Sequence, residues 1–297
     1  MSKLEDLIVF PLAVVCHDAG SANVIIAWLN SYKGDFRVCM EGPARKIWKK
    51  NFPNSEIFSN EEVLKGAKTL LSGTGAAKLE HVARINARKK SIKTIAVIDH
   101  WTDYKGRFNR DGNEHLPDII IVTDEYAYEI ARDCFSSTLI IQVPNNYLQK
   151  EVELAQSLRT TECRKVIENI LIIGSPERDK LLKPNYLEFA AIEFLMSNLN
   201  KINLSKNLIN ISLRLHPSEP LGKYDFMQNE YQHLVTEIKI SKNSELYEDI
   251  AWADLVVGLS SYALVVALAS DVPTMSILPP GPNFFALPFK KITHLRD

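Results

Sequence analysis

Two short motifs in the last third of the chain carry residues suited to binding a phosphate group. Arg214-Leu215-His216-Pro217 closes one apolar segment, and Ser260-Ser261 closes a later one. An imidazole can donate to a phosphate oxygen, and hydroxyls and free N–H groups at a helix start bind the same anion. Pro217 keeps His216 extended and so fixes where the ring points. The predicted phosphate residues are Arg214, His216, Pro217, Ser260 and Ser261. An ion-pair role for Arg214 and a helix-capping role for the serines are the alternatives.

A second group of candidate residues follows the first apolar strand. Cys16-His17-Asp18-Ala19-Gly20-Ser21 places a carboxylate and a glycine turn where a strand opens into a helix, the position at which open α/β sheets bind ligands. Asp18 is the leading candidate for a general base that removes a hydroxyl proton. Gly20 and Ser21 join the predicted ligand-binding set. A plain helix cap is the competing interpretation of Asp18.

A third cluster, Asp99-His100-Trp101-Thr102-Asp103-Tyr104, ends another strand. It combines an acid, an imidazole and two aromatic rings, which suits it to holding a sugar or another acceptor. His100 is the second candidate for the base, with Asp99 orienting it. Trp101 and Tyr104 are the predicted acceptor contacts, and packing within the loop is the alternative for both.

Three further features are weaker signals. Gly73-Thr74-Gly75 could let the backbone approach a ligand, or it could be a tight connection only. Asp124 and Glu125 precede a helix, where negative charge is stabilising. Together with Asp99 and Asp103 they could hold a divalent cation. The chain has no Asp-x-Asp motif, so neither a metal nor another cofactor is predicted.

The elements that must position these residues alternate between apolar strands and amphipathic helices, the pattern of βα units built on a parallel sheet. In the first half the predicted strands are Leu7 to Cys16, Phe36 to Glu41, one near Ile57, Thr69 to Ser72, Thr94 to Asp99, Asp118 to Thr123 and Thr138 to Val143. In the second half they are Ile170 to Gly174, Leu208 to Leu215, Glu237 to Ile240, Leu255 to Gly258 and Thr274 to Leu278. The predicted intervening helices include one starting at Glu61 and one capped by Ser244.

Length and composition limit the protein class. The 297 residues suffice for two domains of roughly 150 residues each, predicted as 1–158 and 159–297. With 46% apolar residues, 24% charged residues and a net charge of -1, the chain is typical of a globular protein without a nucleic-acid partner. The four scattered cysteines predict neither a zinc site nor disulfides. The N-terminal segment lacks signal-peptide features, which predicts a cytoplasmic protein.

The two C-terminal motifs together resemble a known family. A strand ending in Arg-x-His-Pro, an acidic helix, and a strand ending in Ser-Ser before Val272-Pro273-Thr274 resemble the donor-binding half of GT-B glycosyltransferases. The most similar families are bacterial sialyltransferases and other CMP-sugar enzymes, and CDP-glycerol glycerophosphotransferases. The resemblance implies that His216, Ser260 and Ser261 contact the nucleotide phosphate. It covers the C-terminal half well, and the N-terminal half only in architecture.

The chain departs from these families at two places that bear on the substrate. The segment from Ala251 to Gly258 is also similar to nucleotide-sugar epimerases and hydrolases, but UDP-sugar enzymes usually carry an acid near the start of the next helix. Tyr262-Ala263-Leu264-Val265 has none, which favours a cytidine donor. The acidic motif of the sialyltransferases is matched only loosely by Asp18-Ala19-Gly20.

The resulting expectation is an α/β protein with two Rossmann-like domains whose parallel sheets face a cleft, a GT-B-like glycosyltransferase. It would move a sugar, such as a nonulosonic acid, from a CMP donor to a surface-glycan or lipid-linked acceptor, with inversion and without a metal. The alternatives are a UDP-sugar hydrolase or 2-epimerase, and a non-catalytic nucleotide-sugar-binding subunit of a glycan-assembly complex. Basic helix faces such as Arg45-Lys46 and Lys49-Lys50 could draw the protein to the inner face of the membrane.

Overall fold

The computed structural model describes residues 4–32, 34–110, 112–159, 166–174, 186–205, 208–216, 219, 222–282 and 284–296. It divides into two units, Met1–Leu148 and Gln149–Asp297. The division falls within a helix, Asn146–Leu158. Pro217, one of the predicted phosphate residues, lies outside the described residues.

The N-terminal unit is built around one parallel sheet. Its sheet strands are β1 (Leu12–Cys16), β2 (Phe36–Met40), β3 (Thr69–Ser72), β4 (Lys93–Val97), β7 (Ile119–Val122) and β8 (Leu139–Gln142), and a hairpin is formed by β5 (Asn109–Arg110) and β6 (Asn113–Glu114). Its helices are α1 (Ala19–Leu29), α2 (Gly42–Asn51), α3 (Lys78–Lys89) and α4 (Glu125–Cys134), and α5 (Asn146–Leu158) follows. The strand order β2-β1-β3-β4-β7-β8 reverses direction between β1 and β3.

Both faces of this sheet are buried, as expected for a parallel sheet covered by helices. Side chains alternate between the faces along a strand. Val14 therefore packs into the cluster that contains Trp48 of α2. Its neighbours Ala13 and Val15 pack into the opposite cluster, which contains Ala83 of α3. The apolar run of β1 thus follows from its central position between helical layers.

The C-terminal unit has the second parallel sheet. Its strands are β9 (Asn169–Ile173), β10 (Asn210–Arg214), β11 (Glu237–Ile240), β12 (Leu255–Gly258), β13 (Thr274–Ser276) and β14 (Thr293–His294), and its helices are α6 (Tyr186–Ser197), α7 (Phe226–Tyr231), α8 (Leu246–Trp252) and α9 (Tyr262–Ala269). The order β11-β10-β9-β12-β13-β14 is that of the Rossmann fold, with its reversal between β9 and β12.

Several local predictions were wrong. The predicted strand near Ile57 and the helix from Glu61 are turns and irregular segments instead. The first strand starts at Leu12, five residues later than Leu7. Helix α8 begins at Leu246 after Glu245, rather than after a Ser244 cap. These errors lie at element ends and in short segments, where local propensity is overridden by tertiary packing.

None of the described helices is long and apolar enough to cross a membrane.

Leucine-to-alanine substitutions should separate the buried sheet from its edge. Leu71 in β3 is fully buried, whereas Leu139 in β8 is 58% exposed. We expect Leu71→Ala to lower the free energy of unfolding of the N-terminal unit by about 2–5 kcal/mol, because it leaves a cavity. Leu139→Ala should change it by less than about 0.5 kcal/mol. Urea denaturation followed by circular dichroism measures both, and equal effects would contradict the described layering.

Candidate functional site

The chain reversal between β1 and β3 brings two polar loops together in the N-terminal unit. His17 and Asp18 follow β1, and Gly73-Thr74-Gly75 follows β3. The Nδ1 atom of His17 lies 2.7 Å from Oδ1 of Asp18. The backbone N–H of Ala76 donates to Oδ2 of Asp18 at 3.3 Å. Such a switch point at the carboxyl edge of a parallel sheet is where open α/β folds bind ligands.

Asp18 occupies the N-cap position of α1, yet its side chain does not bond to the helix backbone. The side chain of Asp18 therefore does not cap the helix, which was the alternative role for this residue. Its carboxylate is used by His17 and Ala76 instead. The side chains of His17 and Asp18 are 30% and 43% exposed, so a ligand can reach both.

Asp99, which follows β4, is held by hydrogen bonds from helix α1 and from the loop that carries Arg107. It accepts hydrogen bonds from the hydroxyl of Ser21 at 3.1 Å and from Arg107 at 3.2 Å. A Cβ at Gly20 would lie 1.9 Å from its Oδ2, so only glycine permits this approach. Arg107 also donates to the hydroxyl of Thr74 at 3.1 Å. Gly20, Ser21 and Asp99, which were predicted to be site residues, thus lie together.

The remaining residues of the third cluster have partners of their own. The Nδ1 atom of His100 lies 3.1 Å from the hydroxyl of Thr102, and orientation of this ring by Asp99 stays a prediction. Trp101 is 7% exposed and donates to Asp124. Tyr104 is 4% exposed. Both rings pack within the unit, and acceptor binding by them stays a prediction.

A buried glutamate and a buried arginine bind the loops at this edge of the N-terminal sheet. Glu80 of α3 is fully buried, and its Oε1 accepts the backbone N–H of His17 at 2.8 Å. Its Oε2 has no hydrogen-bond partner among the described residues. Burial raises the pKa of Glu80, with a smaller contribution from Asp18. Arg84, one turn further on, donates to the carbonyl of Gly73 at 2.9 Å, and burial lowers its pKa to about 10.

In the C-terminal unit, the predicted phosphate residues lie at one edge of the sheet. Arg214 of β10 is in register with Ile173 of β9, which is in register with Gly258 of β12. His216 follows β10, and Ser260 follows β12. Their strand ends are therefore separated by two strand spacings, about 10 Å.

Both serines are fixed by backbone N–H groups. The side chain of Ser261 caps α9 by accepting from Ala263 at 3.3 Å. The hydroxyl oxygen of Ser260 accepts from Ala286 at 3.2 Å. A hydroxyl that accepts one bond keeps its own O–H to donate. Capping and anion binding are thus compatible at these positions.

Arg214 is engaged in the interior of its own unit. It forms an ion pair with Asp249 of α8 at 2.5 Å, and it donates to the carbonyls of Asn243, Ser244 and Glu245. Asp249 also accepts from the hydroxyl of Ser241 at 2.6 Å. The ion-pair alternative for Arg214 is what the structure shows, and phosphate binding by Arg214 stays a prediction.

A buried charged cluster lies beside His216. Lys223 forms ion pairs with Glu188 of α6 and with Glu219, and the hydroxyl of Tyr224 donates to Glu188. Burial, followed by the bond to Glu188, raises the pKa of Tyr224. The N–H of Glu219 donates to the carbonyl of His216 at 2.9 Å. The cluster therefore holds the loop that carries this histidine.

The sequence interpretation missed several of these residues: Glu80, Arg84, Arg107, Lys223, Tyr224 and Asp249. The spacing of Glu80 and Arg84, four residues apart in what forms the first half of α3, was the one local signal. The other partners are far apart in sequence. Among the described residues, no group of three or more His, Cys, Asp or Glu side chains is placed to hold a metal ion.

No family model matches the chain, and no curated protein sequence matches it. Solved structures share its fold. UDP-GlcNAc 2-epimerase from Neisseria meningitidis, bound to UDP-GlcNAc, is 11% identical with a TM-score of 0.58 over 89% of this chain and 81% of that one. MurG from Acinetobacter baumannii is 10% identical with a TM-score of 0.54 over 91% and 79%. These similarities confirm the predicted α/β fold class, with two parallel-sheet units as in GT-B proteins.

Arg107 should contribute strongly to the stability of the N-terminal unit. Its side chain and that of Asp99 are 14% and 16% exposed, so removing one charge leaves the other in a poorly solvated place. We expect Arg107→Met to lower the free energy of unfolding by about 2–3 kcal/mol. Arg132→Met is the matched control, because Arg132 is 64% exposed. An equally small effect of both substitutions in urea denaturation would contradict the described network.

Glu80 should make stability depend on pH with a defined sign. Because its pKa is raised in the folded protein, the folded state binds the proton more tightly than the unfolded state. Stability contributed by the protonated carboxyl is therefore lost as the pH rises from the unfolded pKa through the folded pKa. Glu80→Gln cannot ionise, so it should gain stability relative to the wild type as the pH rises above about 4.5. Melting temperatures measured from pH 4 to 8 test this, and a melting temperature of Glu80→Gln that falls relative to that of the wild type as the pH rises would refute it.

Proposed function

We propose that this protein is a nucleotide-sugar-dependent glycosyltransferase that uses a CMP-activated donor. One observation carries the proposal: His216 and the serine pair lie at the same edge of the C-terminal sheet, on the two sides of β9. The carboxyl edge beside the chain reversal is the nucleotide-binding position of Rossmann-like sheets. The proposed donor-binding residues are Arg214, His216, Pro217, Ser260 and Ser261, together with Gly20 and Ser21.

The phosphate chemistry follows from the side chains. The start of α9 supplies a partial positive charge, and the serine hydroxyls keep O–H groups to donate. His216 would add a hydrogen bond or a proton to the departing phosphate. These groups would stabilise the charge that develops on CMP as the glycosidic bond breaks. We propose that transfer is inverting, with a base on the acceptor side, and metal-independent.

The N-terminal edge would supply the acid–base group. Asp18 and His100 are the candidate bases, and both lie beside the Asp99 network. A base within hydrogen-bond reach would remove the acceptor hydroxyl proton during transfer. We propose a surface-glycan or lipid-linked acceptor, which Trp101 and Tyr104 would help to shape.

A location at the inner face of the membrane is part of this proposal. Arg45, Lys46, Lys49 and Lys50 are exposed on α2, whereas Trp48 of the same helix is fully buried. One face of the helix thus packs inward and leaves the basic residues to solvent. Clustered basic residues are attracted to anionic lipid headgroups.

The second candidate is a UDP-sugar hydrolase or 2-epimerase, and the third is a non-catalytic nucleotide-sugar-binding subunit. The structural similarity to a UDP-GlcNAc 2-epimerase favours the second candidate. The start of α9 argues against it, because Tyr262-Ala263-Leu264-Val265 offers no carboxylate for a ribose. Donor turnover separates the enzymes from the subunit, since the subunit would bind without consuming the donor.

Nucleotide binding can be measured by the shift in melting temperature. At about 100 times its Kd, CMP should stabilise the folded protein by about 2.7 kcal/mol, a shift of roughly 5 °C or more. UDP should shift it less. His216→Gln should remove most of the CMP shift, whereas His233→Gln, at an exposed position, should leave it intact. Stabilisation by UDP but not by CMP would overturn the cytidine assignment.

A further inference from the structure

The side chains of His17 and Asp18 form a pair at the end of the first strand, 2.7 Å apart. A neutral imidazole carries one proton, and the nitrogen that faces a carboxylate is the protonated one. With Nδ1 of His17 2.7 Å from Oδ1 of Asp18, the proton lies on Nδ1. The Nε2 atom then carries a lone pair and can accept a proton.

The carboxylate of Asp18 contacts His17 and does not cap its own helix. An aspartate at an N-cap ordinarily accepts from the first turn of its own helix, as Asp124 does with Ala127 at 2.8 Å. Asp18 forms no such bond. Each of its oxygens instead contacts a neighbour, Oδ1 the ring of His17 and Oδ2 the N–H of Ala76.

The ring of His17 is closely packed on one side and partly exposed as a whole. A Cβ at Gly42, at the start of α2, would lie 2.6 Å from Nε2 and 2.7 Å from Cε1, so glycine at this position lets the ring keep its place. The side chain of His17 is 30% exposed, and its backbone N–H is held by the buried Glu80. The imidazole is thus fixed at its base and within reach of a ligand.

We infer that His17 is the general base of the proposed glycosyl transfer and that Asp18 is its positioning residue; the inference rests on the proposed function. Nε2 of His17 takes the proton of the acceptor hydroxyl, whose oxygen forms the bond to the anomeric carbon. The bond from that carbon to the phosphate oxygen breaks, and CMP leaves with the electron pair. The carboxylate of Asp18 stabilises the imidazolium that results.

A double-mutant cycle tests the pair. CMP release from CMP-N-acetylneuraminate, with lactose as the acceptor probe, is measured for His17→Gln, Asp18→Asn and the double variant. We expect His17→Gln to lower turnover by about 100-fold or more, and the double variant to lose little beyond it, because the two residues act as a unit. Imidazole added to His17→Ala should restore part of the turnover. His233→Gln is the control.

Failure of this inference can be distinguished from failure of the proposed function. If His17→Gln keeps turnover within threefold of the wild type, and CMP still raises the melting temperature, the inference falls and the proposed function stands. If the wild type neither releases CMP nor is stabilised by it, the proposed function falls as well. Fully additive losses in the cycle would also overturn the inference.

Two further measurements guard against loss of folding. In ¹⁵N NMR of the histidine-labelled wild type at neutral pH, the ring of His17 should be protonated at Nδ1; protonation at Nε2 would overturn the inference. Gly42→Ala should lower turnover at least tenfold, because its Cβ would lie 2.6 Å from Nε2 and displace the ring of His17, whereas Gly66→Ala should not. Both glycines have positive φ, +49° and +76°, but a Cβ at Gly66 would meet nothing within 4 Å. Equal losses in both variants would count against it.

Discussion

Parallel pairing of neighbouring strands is the constraint on which both candidate sites depend. Parallel strands all end at one edge, so residues far apart in sequence meet there once the register is set. In the N-terminal unit Val15 pairs with Ser72, which brings the loop after β1 against the loop after β3. In the C-terminal unit β9 lies between β10 and β12. A one-residue slip would turn every side chain of a strand to the opposite face.

Buried charges hold the loops that this pairing brings together. The carboxyl of Glu80 binds the backbone of the β1 loop, and Arg84 binds the carbonyl of Gly73 in the β3 loop. In the C-terminal unit, Lys223 and its two glutamates hold the loop of His216. Buried ions are costly, and replacing them with apolar residues is often neutral for stability. Their clearest effect here is on geometry, because a fixed loop presents a polar side chain in one direction.

The sequence predicted the arrangement of the strands better than the partners of the side chains. The alternation of strands and helices was enough to place His216 and the serine pair at strand ends, and the bounds of β11 and β12 agree with their predictions. The ion pair of Arg214 with Asp249 joins residues 35 positions apart. No periodicity encodes such a pairing, since it follows from the strand order. The short segments near Ile57 were mispredicted for a related reason, because they are shaped by what they pack against.

Two aspartates at helix starts show that local sequence does not decide whether an aspartate caps its helix. Asp124 and Asp18 each precede a helix, and by the sequence alone each could cap it. Asp124 does so, and it also accepts the indole N–H of Trp101. Asp18 lies beside the chain reversal of its sheet, where the ring of His17 contacts one of its oxygens and the N–H of Ala76 contacts the other. The same residue type therefore has two outcomes, decided by tertiary neighbours. A position that gives up its local hydrogen bond for such neighbours is where function is most reasonably sought.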